Sequence, residues 1–112
     1  MATDKIMKPE TISNAVELTS FQNSWTANGL CFYKQIGDMV TLHMSIRNGT
    51  TTDNTKILSL PSLAPSTSVL IPIITASGVT PNGYLTVTTS GDITIKSVTT
   101  ANIYCDASWV VA

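Results

Sequence analysis

Residues 34–47, KQIGDMVTLHMSIR, decide the fold class. Past Asp38 the stretch alternates. Val40, Leu42, Met44 and Ile46 point one way, and Met39, Thr41, His43, Ser45 and Arg47 the other. A period of two belongs to a half-buried β-strand, and at helical spacing the same apolar residues scatter around the cylinder. Val40, Thr41 and Ile46 are β-branched, which also favours a strand. Gly37-Asp38 is a tight-turn signal, and residues 32–36 read as the partner strand, so the seed of the fold is a hairpin.

The same punctuation continues outward. Residues 16–21 read as a first strand, and residues 23–29, NSWTANG, as a loop carrying Trp25. Asn48-Gly49 opens a turn-rich loop. Residues 56–60 form a short strand stopped by Pro61, and 61–68 an irregular crossing with two prolines. Residues 69–75 are an apolar strand in which Pro72 marks an edge or a bulge. Pro81-Asn82-Gly83 reads as a turn before the alternating residues 84–89. Ser90-Gly91-Asp92 turns into a strand holding Ile93 and Ile95. Last, Ile103, Cys105, Ala107, Trp109 and Val111 alternate with Tyr104, Asp106, Ser108 and Val110. About eight short strands without a convincing helix make an all-β protein, an antiparallel sandwich, jelly roll or barrel-like domain.

The chain has 112 residues, 12% of them charged, with a net charge of -1. That charged share is about half the usual one. It argues against disorder, and the missing basic stripe argues against nucleic-acid binding. Five of the charged residues (Asp4, Lys5, Lys8, Glu10 and Glu17) fall in residues 1–17, which read as a leader or linker ahead of a domain at 18–112. That segment has no apolar run of a signal peptide, and nothing in the chain reaches membrane-spanning length, so no membrane insertion is expected. Cys31 and Cys105 read as buried free thiols, with one disulfide across a long loop as the alternative.

No cofactor, metal or phosphate-binding pattern is present, and no nucleophile motif accompanies the single histidine, His43, so the chain reads as a non-enzyme. Binding chemistry is better represented. Glycan sites on β-sandwiches combine an aromatic platform with polar groups for the hydroxyls. The candidates here are Trp25, Tyr84 and Tyr104 as platforms, with His43, Arg47 and Asp106 as polar contacts. Trp25 serves equally as a core plug, the two tyrosines equally as packing at an interface, and Trp109 faces the core. His43 and Arg47 share a strand face about 13 Å apart.

One ordered set of residues resembles a known family: Trp25; Lys34-x-x-Gly37-Asp38-x-Val40-x-Leu42; Ile46-x-x-Gly49-Thr50; Leu58-x-Leu60-Pro61 with Pro65; Gly91-x-Ile93-x-Ile95; Ile103-Tyr104; and Ala107-Ser108-Trp109. Over residues 24–111 this resembles the C-terminal head domains of bacteriophage and prophage tail-fibre and baseplate receptor-binding proteins, those of lactococcal siphophages among them. The resemblance implies a homotrimeric head on the virion. It also implies non-covalent binding of bacterial cell-wall or surface saccharide, and contact with other tail or baseplate proteins. The matching residues are scaffold, so no binding residue transfers with them. Two other readings use the same scaffold: a structural tail module that binds another virion protein, and a non-viral lectin-like carbohydrate-binding module.

Overall fold

The computed structural model describes residues 15–75 and 78–112, with the backbone course alone for 78–82. Among these residues the elements are β1 (Val16–Glu17), β2 (Thr26–Ala27), β3 (Phe32–Ile36), β4 (Met39–Arg47), β5 (Lys56–Ser59), β6 (Val69–Thr75), β7 (Gly78–Val87), β8 (Asp92–Lys96) and β9 (Asn102–Val110), with one 3-10 turn at Pro61–Leu63. All pairings are antiparallel. The order across the sheet is β1-β3-β4-β9-β6-β7-β8-β5, with β2 also on β4.

The seed hairpin forms as its residues dictate. Ile36 pairs with Met39 around Gly37, which takes φ +60°. Glycine meets a left-handed turn position at no steric cost. β4 then runs in unbroken register with β9, from Met39 opposite Val110 to Arg47 opposite Asn102. Val40, Leu42, Met44 and Ile46 face inward with Ile103, Cys105 and Trp109, and all are buried. Ile71, Ile73, Leu85, Val87, Ile93 and Ile95 close the core from the β6–β8 side.

The sheet curls into a half-barrel, so of the expected architectures the barrel-like one is realised. Residues 18–23 bridge between its two end strands. Leu18 N donates to Cys31 O at 2.9 Å, Gln22 N to Ile57 O at 2.7 Å, and Asn23 Nδ2 to Lys56 O at 2.8 Å. Unpaired edge groups on both sides thereby gain partners. Only Val16 and Glu17 of the expected 16–21 strand pair in the sheet, and the rest crosses between its ends. Residues 1–14 of the expected leader lie outside the described residues.

Pro81-Asn82-Gly83 is not a hairpin turn. Pro72 pairs with Tyr84 and Ile74 with Val79, so residues 80–83 lie opposite Ile73 alone. The turn-forming tripeptide is absorbed in a multi-residue bulge inside β7, where a proline needs no ladder donor. The bulge expected near Pro72 is this same irregularity. The cysteines are free and buried, and burial pushes the Cys105 thiol up to about 12.

Two local devices fix the periphery. The Trp25 ring lies directly on Gly49, where an added Cβ would fall 1.9 Å from ring carbon Cδ2, and Trp25 Nε1 donates to Thr50 O at 3.2 Å. Across β5 and β8, Asp92 accepts from Ser59 Oγ at 2.6 Å and pairs with Lys56 Nζ at 3.5 Å. The Ser59 hydrogen bond, helped by Lys56, holds the Asp92 carboxyl below its ordinary range.

Gly49→Ala is expected to lower the unfolding free energy by about 3 kcal/mol, because backbone and an indole must both move. Gly37→Ala, with open space around it but a left-handed φ, is expected to cost about 1–2 kcal/mol; urea midpoints at constant m-value check the order. Asp92 supplies stability above its unfolded-state pKa that disappears as pH falls through the lower folded-state value. Acidification below about pH 4 should therefore destabilise the native protein more steeply than the Asp92→Asn variant, as read from melting temperature against pH.

Candidate functional site

The outward face of β3, β4 and β9 is built in cross-strand rows. In register with one another stand Phe32, His43 and Asp106. His43 Nδ1 lies 2.6 Å from Asp106 Oδ1, a contact between residues 63 apart in the chain. A carboxylate only accepts, so the imidazole donates from Nδ1 and turns Nε2 outward. The rings of Phe32 and His43 are 5.5 Å apart between centroids and tilted by 32°. Beside Phe32 lies a cleft of about 260 Å³ lined by Ala15, Glu17, Leu30 and Phe32. Glu17 pairs with Phe32 across β1 and β3, which puts its carboxylate on the same face.

This row combines an apolar ring, a ring nitrogen free to exchange hydrogen bonds, and a carboxylate whose side chain is 78% exposed. That is an amphipathic surface suited to a ligand with both C–H faces and hydroxyls. Among the described residues no three His, Cys, Asp or Glu side chains converge to hold a metal ion.

Of the residues singled out in the sequence, His43 and Asp106 are brought together. Tyr104 is two residues from Asp106 on the same face, opposite Ser45 of β4 and Ile74 of β6. Arg47 sits at the far end of β4, where its carbonyl accepts from Thr26 Oγ1, and it does not reach the His43 row. Tyr84 stands in the other half of the sheet, between Pro72 and Lys96. Trp25 is 2% exposed, so its ring is core and not a platform. The demand for a partner at its Nε1 and the close approach of Gly49 draw the loop inward. Phe32 was missed, although it shares the outward parity of Lys34 and Ile36 beside the inward Tyr33. Glu17 and Leu30 were missed because nothing local in the sequence pairs β1 with β3.

At the turn end of the same face, Ile36, Met39 and Val110 form an apolar row in direct register, 70%, 45% and 57% exposed. Leu70 and Ile74 on β6 are also exposed.

The domain is thus all-β and curled into a half-barrel, with a polar–aromatic cluster on an outer strand face. No protein-family model and no curated protein sequence matches the chain. Among solved structures it is similar to the receptor binding protein (gp15) of Listeria phage PSA, with a TM-score of 0.64 and 17% identity over 97% of this chain and 75% of that one. At that identity the likeness is one of fold, and it meets the resemblance to phage receptor-binding heads read from residues 24–111.

The His43–Asp106 pair is largely exposed, and pairs of that kind stabilise little. A double-mutant cycle with His43→Ala and Asp106→Ala is expected to give a coupling within about 1 kcal/mol in urea unfolding. A larger coupling would make the pair a structural clamp.

Proposed function

We propose that this chain is the receptor-binding head of a phage tail or baseplate protein, holding a bacterial surface saccharide non-covalently and without turnover. The observation that carries the proposal is the Phe32–His43–Asp106 row on a fold shared with a phage receptor binding protein. The phenyl ring packs on the C–H face of a sugar, while His43 Nε2 and the free oxygen of Asp106 take its hydroxyls through charge-assisted hydrogen bonds. A homotrimer is part of the same proposal. The exposed Ile36–Met39–Val110 row is apolar surface that a closed three-fold contact would remove from water. Three weak sites on one trimer, repeated on a virion, hold a cell far better than one.

The test uses the full chain, fluorescently labelled, against purified cell walls from a broad panel of Gram-positive strains. Binding to walls of some strains is expected, weakened at least tenfold by Phe32→Ala and by Asp106→Asn, with a light-scattering mass of three chains. Walls that bind nothing, together with a stable complex with another tail protein, would replace the adhesin with a structural tail module. A monomer that binds walls would keep the saccharide and remove the trimer.

A further inference from the structure

Glu17 lines two clefts. One is the cleft beside Phe32 on the outer face. The other, about 320 Å³, opens where residues 18–22 cross from β1 to β5, and its walls include Thr19, Phe21, Gln22, Ser59 and Leu60. Each cleft therefore has one phenyl ring in its wall, and the second adds three hydroxyls, from Thr19, Ser20 and Ser59, and the Gln22 amide. Both volumes lie at or below the low end of the ~300–1,000 Å³ that hold drug-sized ligands, so each suits a short piece of a longer molecule. Glu17 is the one ionised side chain among the residues lining either cleft. Glu17 is exposed at the edge of both clefts, and its carboxylate favours hydroxyl or ammonium donors over anionic groups. A phosphate or uronate would be repelled.

Resting on the saccharide-binding proposal above, we propose that the two clefts are one bipartite site for an extended saccharide, neutral or amine-bearing. The chain of sugars lies across β1. One unit rests against Phe32, the next part of the chain enters the Phe21 cleft, and Glu17 takes hydroxyl or ammonium donors where the two meet. Specificity for an uncharged or cationic polymer follows from Glu17, and preference for length follows from the second cleft.

The experiment uses wall polysaccharide released from a strain whose walls the native protein binds, as long fragments and as single repeat units, titrated calorimetrically against the full chain. Thr19→Ala combined with Gln22→Ala is the second-cleft variant. It leaves intact the backbone bond from Gln22 N to Ile57 O, and superimposable unfolding curves confirm that each variant is folded. Long fragments are expected to bind at least tenfold tighter than single units. Glu17→Gln and the second-cleft variant are expected to erase that advantage, with single-unit binding still dependent on Phe32. Soluble poly(glycerol phosphate) is expected not to compete. If the second-cleft variant and Glu17→Gln bind long fragments as the native protein does while Phe32→Ala does not, the site ends at β1, and this inference falls while saccharide binding stands. Competition by poly(glycerol phosphate) at Glu17 would overturn the charge selectivity. If the native protein binds the walls of no strain, the saccharide-binding proposal fails first and the bipartite site with it.

Discussion

The ladder between β4 and β9 holds everything else in place. Nine residues of each strand pair without a slip. Side chains on strands alternate with a period of two, so a slip of one residue would exchange the buried and exposed sets of a whole strand. The inward set, from Val40 against Trp109 to Ile46 against Ile103, is core. Each such side chain contributes about 1.5–3 kcal/mol on burial, so the correct register is strongly preferred. The outward set comes into line by the same register, and that alone joins His43 to Asp106. One constraint thus builds the core on one face and the candidate site on the other.

Much of this was legible in the chain, unevenly and for physical reasons. Alternation in residues 39–47 and 103–111 identifies both strands and their inner faces, because each has one face buried and one wet. Gly37 marks its turn, because a left-handed φ selects for glycine. His43 and Asp106 each drew notice as polar groups on outward positions, but their pairing depends on a register between stretches 63 residues apart. Trp25 misled in part. Its loop of polar and small residues suits a surface platform, whereas its burial depends on Gly49, 24 positions on, having no side chain. Pro81-Asn82-Gly83 misled fully, since the local turn preference of the tripeptide yielded to the pairing of β6 with both halves of β7.

The candidate site stands on strands, and loops contribute little to it. Phe32, His43 and Asp106 are each held by ladder hydrogen bonds on neighbouring strands, so their spacing is set before any ligand arrives. Preorganisation of this kind lowers the ordering cost of binding and suits a shallow site of modest intrinsic affinity. The pair formed by His43 and Asp106 adds little to the fold, and the site residues are therefore free to vary while the inward faces of the same strands are held to core packing. A scaffold that separates the two demands by strand parity can change its ligand without rebuilding its interior.

β9 is the last of the described strands to be synthesised, yet it lies between β4 and β6 in the finished sheet. While the ribosome is still making residues 102–110, β4 has no partner on one side and the inner face of the seed hairpin has no Trp109 or Ile103 to cover it. The chain must remain open through most of its translation and complete its core in a late step. During that interval the exposed edge of β4 is a template for any neighbouring copy, so newly made chains on adjacent ribosomes meet at the stage when mispairing is easiest.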